Sequence, residues 1–155
     1  IITKPLYGNG GEGIHRFDKS NFNSKILEEY LHLPIMVQKF INEIEHGDRR
    51  IVFFDGEYFG SVARIPQEGN LKANFHAGGK ASKTGLVYRD KEIIEYLGPK
   101  LKEHNLFFVG IDIIGNYLTE INVTSPTGLK QINALNNVKL EKDFWDKLEA
   151  KYKLV

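Results

Sequence analysis

The stretch Leu106-Phe107-Phe108-Val109-Gly110-Ile111-Asp112-Ile113-Ile114-Gly115-Asn116-Tyr117-Leu118-Thr119-Glu120-Ile121-Asn122-Val123 sets two apolar, β-branched runs on either side of Gly115-Asn116. Such runs around a Gly-Asn turn predict a β-hairpin. Asp112, Glu120 and Asn122 are the polar exceptions on these strands, and charged side chains are seldom buried there without a partner or a metal. With a three-residue loop, Gly115-Asn116-Tyr117, Asp112 lies opposite Glu120 and Asn122 shares their face. With a two-residue loop, Asp112 and Glu120 fall on opposite faces. In the first case three oxygen-bearing side chains form a platform suited to hard Mg²⁺, which takes one or two carboxylates and shares its other positions with phosphate. A half-solvated polar face gives the same alternation without any function.

Upstream, Arg50 to Phe54 and Glu57 to Arg64 form a second hairpin around Asp55-Gly56, a dipeptide that tolerates positive φ. Between the hairpins, Ile65 to Tyr88 holds Pro66, Gly69, Asn70, Asn74, Gly78, Gly79 and Gly85 and no sustained period. So long a connection inside a compact domain is usually an active-site lid or a disordered segment, and function is the better reading. Asp90 caps a helix carrying Ile93, Ile94, Leu97 and Leu101, in which Gly98-Pro99 should kink or split the axis. Leu140 to Tyr152 reads as an amphipathic helix. Near the start, Ile1 to Leu6 and Ile14 to Phe17 read as strands around Gly8-Asn9-Gly10-Gly11-Glu12-Gly13. Ser20 to Leu31 has helical spacing, and Ile35 to Ile41 reads as a short strand before the turn Glu45-His46-Gly47-Asp48. The order predicts an α+β domain, mainly antiparallel sheet covered by helices, with a lid over about residues 65–88.

The 155 residues include 21 Lys and Arg against 20 Asp and Glu, 41% are hydrophobic, and none is cysteine. Without a basic block there is no electrostatic footprint for nucleic acid or an anionic membrane. The run from Leu106 to Ile114 is interrupted by Gly110 and Asp112 and is far short of the roughly 20 residues a bilayer needs. Zero cysteines exclude a disulfide framework, a thiolate zinc site and a cysteine nucleophile, and agree with the cytoplasm. The first residues, Ile1-Ile2-Thr3-Lys4, do not read as a signal peptide, and the numbering looks as if it begins partway through a protein.

Gly8 to Gly13 satisfies G-x-G-x-x-G, but a strand follows where a dinucleotide fold needs a helix, and Leu33 stands about 20 residues on in place of the acidic ribose ligand. Ile14-His15 likewise replaces the Lys and Ser or Thr of a P-loop. Strand, glycine loop and strand can still lay backbone N–H groups over nucleotide phosphates, or be a plain turn. Among the basic residues, Arg50 and Arg64 could face a phosphoryl group or a carboxylate in a two-pronged contact, although each alone reads rather as a solvated surface charge. The five histidines have no metal-ligand spacing, and Ser125 has no recognisable His and Asp partners.

Taken together, these segments resemble the C-terminal ATP-grasp portion of the bacterial-type glutathione synthetases over nearly the whole chain. The resemblance rests on Ile2-Thr3-Lys4-Pro5-Leu6 with the glycine loop, Gly47-Asp48-Arg49-Arg50, Ala63-Arg64-Ile65-Pro66-Gln67, Ala77-Gly78-Gly79, Phe108 to Ile114, and Leu118 to Thr127. It implies an ATP-grasp fragment spanning 1–155 that lacks the N-terminal substrate domain and the start of the ATP-grasp domain. ATP would lie between two sheets, with Lys4 and the loop of Gly8, Gly10 and Gly11 on its phosphates. Gln38, Lys39, Phe40 and Ile41 would flank the adenine, and Asp48 would reach the ribose. Asp112, Glu120 and Asn122 would hold Mg²⁺, or Mn²⁺ in its place. Arg50 and Arg64 would face the transferred phosphoryl group and the substrate carboxylate, with Asn74, Ser125 and Thr127 on the substrate side.

The activity implied is ATP-dependent ligation of γ-glutamylcysteine and glycine through an acyl phosphate, giving glutathione, ADP and phosphate. The full-length protein would be a cytoplasmic homo-oligomer, and the fragment alone would bind nucleotide weakly and turn nothing over. Lys72 and Lys80 depart from the family pattern, the first where arginine is expected. Two alternatives stay open: another ATP-grasp carboxylate–amine ligase with a different acceptor, and a nucleotide-binding fragment without catalysis.

Overall fold

The computed structural model describes all residues except 8, 9, 21–24, 26, 27, 29–31, 68–72, 76, 77, 154 and 155. Gly8, His76, Ala77 and Lys72 therefore lie outside the described residues, as does most of the Ser20 to Leu31 segment.

Two antiparallel sheets are built. The smaller has the order β2-β1-β3, from β1 (Ile2–Pro5), β2 (His15–Arg16) and β3 (Ile35–Gln38). The larger has the order β6-β5-β4-β7-β8, from β4 (Asp48–Phe54), β5 (Glu57–Ile65), β6 (Lys80–Ser82), β7 (Phe108–Ile114) and β8 (Tyr117–Asn122). The helices whose bounds fall within the described residues are α1 (Tyr88–Glu103), α2 (Leu129–Asn136) and α3 (Leu140–Tyr152), and a 3-10 turn spans Asn42–His46. Both expected hairpins form. In the first, Asp55 (φ 50°) and Gly56 (φ 78°) are both left-handed, as a two-residue turn matched to strand twist requires.

Alternation along β4 decides what each face of the larger sheet carries. Ile51 and Phe53 pack with Val109, Ile111 and Ile113 of β7 beneath Ile93, Leu97 and Leu101 of α1. On this same face Arg49 pairs with the fully buried Asp90 of α1, its Nε and Nη2 donating to the carboxylate at 2.8–3.1 Å. The opposite face is divided. At one end Val52, Phe54 and Val62 are covered by Ile132 of α2 and Leu140 of α3. At the other end Asp48, Arg50, Arg64 and Asp112 replace them, and no helix covers this end among the described residues.

Several elements differ from the sequence reading. α1 starts at Tyr88, so Asp90 sits in its first turn, where its carboxylate accepts the Val87 N–H at 3.1 Å. The helix is not split at Gly98-Pro99. Gly98 is there for close approach: a Cβ on it would stand 2.4 Å from the Gly56 carbonyl oxygen, so the helix rests on the hairpin turn. The Ile65 to Tyr88 connection is not wholly irregular, since β6 pairs with β5 from Ala63↔Ser82 to Ile65↔Lys80. The eight-residue α2 went unread, because Pro126 and Gly128 so close to its start mask its short period.

Candidate active site

The loop of the β7–β8 hairpin has two residues, Gly115 and Asn116, with Ile114 paired to Tyr117 and Ile113 to Leu118. A regular ladder from that turn would separate Asp112 and Glu120. Instead the register shifts between Ile113 and Asp112: Thr119 is the extra residue of a β-bulge, and Asp112 comes to lie opposite Glu120, with Gly110 opposite Asn122. The three-oxygen face thus exists, through a bulge rather than a longer loop.

Across the other edge of β7, Asp112 is opposite Arg50, and across β4–β5 Asp48 is opposite Arg64. The side chains close these pairings into one buried ionic chain. Arg50 donates from Nε to Asp112 Oδ1 at 2.5 Å and from Nη2 to Oδ2 at 2.9 Å. Arg64 donates from Nε and Nη2 to the two Asp48 oxygens at 2.6 and 2.5 Å, and its Nη2 also stands 2.9 Å from Asp112 Oδ2. Two-pronged guanidinium–carboxylate contacts of this kind fix planes as well as distances. Burial works against the Arg64 charge, but the bonds and charges of Asp48 and Asp112 outweigh it and hold its pKa above the ordinary arginine value. The Asp48 carboxyl is held above its ordinary pKa, first by burial, against the hydrogen bonds and charge of Arg64.

Two adjoining cavities, of about 400 and 550 Å³, lie between the sheets and meet at Lys4, Ile14, Arg64, Asn74, Asp112, Thr119 and Glu120. The first also takes Gln38, Lys39, Phe40, Ile41 and Asp48, with Ile2, Ile14, Ile44 and Ile114 as an apolar lining. The second takes Gly10, Gly11, Arg50, Asn122, Ser125 and Thr127. Apart from Gly8, the residues singled out in the sequence are therefore brought around one continuous cleft. Gly10 and Gly11 have φ of 64° and 78°, a conformation open to glycine. Asn74 Nδ2 donates to the Gly10 carbonyl at 3.3 Å, joining the connection after β5 to the glycine loop. Thr127 presents its backbone carbonyl to Arg50 Nη1 at 3.0 Å. Gly110 is needed beneath this turn, since a Cβ there would meet Pro126 at 2.8 Å and Arg50 at 3.1 Å.

The donor chemistry at the acidic pair fits a hard divalent cation. Glu120 keeps a solvent-exposed surface on the edge strand, yet its pKa is raised, first by desolvation in the cleft and then by the Asp112 charge, with Lys4, Arg50 and Arg64 opposing. A cation between the carboxylates relieves that repulsion. Among the described residues the Asn122 Nδ2 is buried with no hydrogen-bond partner, a donor left for an acceptor such as a phosphate oxygen. Two carboxylates and an amide oxygen match what Mg²⁺ takes from protein when phosphates complete its shell.

Sequence reasoning missed Arg16, whose guanidinium lies 4.0 Å over the Phe40 ring on the cleft wall. It also missed Thr119, which lines both cavities, and Phe75, which lines the second with its ring centroid 5.7 Å from the Arg64 guanidinium carbon. Alternation after the glycine loop, which sets Ile14 and Arg16 on one face, was the available signal for Arg16.

The chain matches the family model described as prokaryotic glutathione synthetase, ATP-grasp domain, over residues 1–137. It is 43% identical over 157 residues to a glutathione synthetase of Mesorhizobium japonicum, covering 99% of this chain and 50% of that protein. To the glutathione synthetase of Prochlorococcus marinus it is 45% identical over 152 residues, covering 96% and 50%. The chain thus spans about half the length of the curated relatives it matches. Among solved structures, the ATP-grasp ligase PsnB complexed with precursor peptide PsnA2 and AMPPNP has a TM-score of 0.68 at 16% identity, covering 98% of this chain and 46% of that one. D-alanine–D-alanine ligase from Bacillus anthracis complexed with ATP has a TM-score of 0.64 at 16% identity, covering 99% and 54%. At those identities the likeness is one of fold. With 137 of its residues matched and a cleft of this make-up between its two sheets, the chain belongs to the prokaryotic glutathione synthetase ATP-grasp family.

Proposed function

We propose that this chain supplies the nucleotide and metal half of a glutathione synthase, which joins γ-glutamylcysteine to glycine with ATP. The observation that carries the proposal is the meeting of two cavities at Lys4, Arg64, Asp112 and Glu120, where cations and a carboxylate pair lie within one cleft. ATP occupies the cavity beside Gln38 to Ile41, with its adenine among the isoleucines and its ribose toward Asp48. Its phosphates reach Lys4 and the N–H groups of Gly10 and Gly11. The peptide substrate enters the cavity beside Arg50, Ser125 and Thr127, with Asn74 over it.

In the first step a carboxylate oxygen of γ-glutamylcysteine attacks the γ-phosphorus, the bond to the β-phosphate oxygen breaks, and ADP leaves. In the second, the glycine nitrogen attacks the acyl carbon, phosphate leaves, and the nitrogen gives up a proton. Lys4, Arg50 and Arg64 lower the charge repulsion between carboxylate and polyphosphate and hold the reacting atoms in line. Asp112, Glu120 and Asn122 would hold Mg²⁺, which neutralises phosphate charge when bound. Exclusion of water from the acyl phosphate falls to the connection after β5. Assembly as a cytoplasmic homo-oligomer belongs to the same reading.

The test is ADP release by the full-length protein with γ-glutamylcysteine, glycine and Mg-ATP, for wild type and Glu120→Ala. Release that needs both substrates and falls by at least about a hundredfold in the variant is the expected result. Glycine-independent release, or none from folded protein, would instead favour a sister ligase with another acceptor.

A further inference from the structure

The acidic pair depends on one extra residue. From the two-residue turn at Gly115-Asn116, a regular ladder would send Glu120 and Asn122 to the α1 face, and only the bulge at Thr119 returns them to the side of Asp112. Register on an edge strand is ordinarily fixed by burial of its apolar set, because a one-residue slip exchanges the faces. Here that restraint is weak. Leu118 and Ile121, which pair with Ile113 and Ile111 on the α1 face, remain 37% and 43% exposed, and Val123 beyond them is 48% exposed. Loss of the bulge would leave Leu118 opposite Ile113 and turn only Ile121 and Val123 to the other face, which would cost little hydrophobic burial.

Something else must pin the bulge, and the structure shows a contact that can. A bulge interrupts the ladder and leaves backbone groups to be satisfied by other means. The Thr119 hydroxyl donates to the Asp112 carbonyl at 3.1 Å. Threonine suits the position twice over, since its β-branched side chain is stiff at χ1 and its hydroxyl reaches a backbone acceptor. The bond joins the extra residue to the backbone of the very aspartate that Glu120 must face.

We propose that Thr119 is the positioning residue of the acidic pair, its hydroxyl on the Asp112 carbonyl locking the β8 bulge that keeps Glu120 and Asn122 facing Asp112, and so setting the divalent-cation affinity of the cleft. The proposal rests on the metal reading given above, and its test separates the two.

ADP affinity of the full-length protein is measured by titration calorimetry with and without Mn²⁺, for wild type, Thr119→Val, Thr119→Ser and Glu120→Gln. Positioning residues of metal ligands are typically worth 10- to 100-fold in affinity, so Thr119→Val should lose about tenfold or more of the Mn²⁺ enhancement, taken as the ratio of ADP affinities with and without Mn²⁺ so that any direct effect of a side chain lining the cleft cancels. Thr119→Ser keeps the hydroxyl and should restore most of the enhancement. Circular dichroism and a thermal melt show whether each variant is folded, and where Thr119→Val is not, Thr119→Ala is read against Thr119→Ser in its place. Full enhancement in Thr119→Val, or equal loss in the valine and serine variants, overturns the proposal while loss in Glu120→Gln leaves the metal reading standing. No enhancement in wild type, or full enhancement in Glu120→Gln, overturns both.

Discussion

Arg50 and Asp112 face one another across β4 and β7 in a two-pronged ion pair, and Asp112 is at the same time within 2.9 Å of Arg64. Asp112 is thus the shared anion of two buried cations, with 5% of its surface exposed. Removing one member of a buried pair costs about 3–5 kcal/mol, because the charge left behind is uncompensated. Asp112→Asn leaves Arg50 without a carboxylate and Arg64 with Asp48 alone, and should fall in that range. Arg50→Met leaves Asp112 with Arg64 and should cost less. Urea melts of the two variants check the order, and an equal or reversed order would mean that the network does not share charge as its geometry implies.

Gly98 and Gly85 are expected to respond to alanine with opposite signs. At Gly98 the new Cβ would stand 2.4 Å from the Gly56 carbonyl, forcing helix and hairpin apart. Overpacking of this kind costs about 1–3 kcal/mol and outweighs the roughly 1 kcal/mol that alanine gains over glycine in a helix. At Gly85 nothing lies within 4 Å, so alanine should stabilise by about 0.4–1 kcal/mol through the unfolded chain. Thermal melts of both variants decide it, and a more stable Gly98→Ala would show that the helix does not press on the turn.

Glu120 gives a pH dependence of defined sign. Burial and then the Asp112 charge raise its folded pKa above 4.5, so between 4.5 and that raised value the folded chain binds more protons than the unfolded one. Its contribution to stability is present below 4.5 and lost as pH rises through the folded value. Without divalent cation, Glu120→Gln should therefore be slightly more stable than wild type at neutral pH, by a margin that solvent screening of the exposed carboxylate keeps small and that shrinks as pH falls toward 4.5. Saturating Mg²⁺ should reverse the order at neutral pH, because only wild type offers the second carboxylate. Denaturation at several pH values with and without Mg²⁺ measures both, and a margin that widens on acidification would contradict the raised pKa.

Both hairpins, the helical stretch after Tyr88 and the C-terminal helix could be read in the sequence, since each is a local pattern ended by a local signal. Asp55-Gly56 and Gly115-Asn116 name their turns, and the periods of 2 and 3.6 name the elements between them. The cleft residues were legible as well, though chiefly because short runs such as Leu118 to Thr127 resemble a family. Residue chemistry alone left Arg50 and Arg64 as ordinary surface charges. What could not be read were the pieces that act at a distance: β6, whose three residues are a strand only because β5 lies beside them, and Arg16, which matters only once Phe40 is folded beneath it.

The sequence by itself determined that Asp112, Glu120 and Asn122 stand on facing strands and that Arg50 and Arg64 begin and end a hairpin, because strand and turn propensities act between near neighbours. Only the tertiary structure decided that they form one site. Side-chain direction alternates at each residue, so one bulge at Thr119 decides which face Glu120 takes, and no local rule says where a ladder will slip. Nor does any local rule pair Asp112 with Arg50, 62 residues away, where close packing of β4 against β7 buries both charges and leaves each the other as its partner.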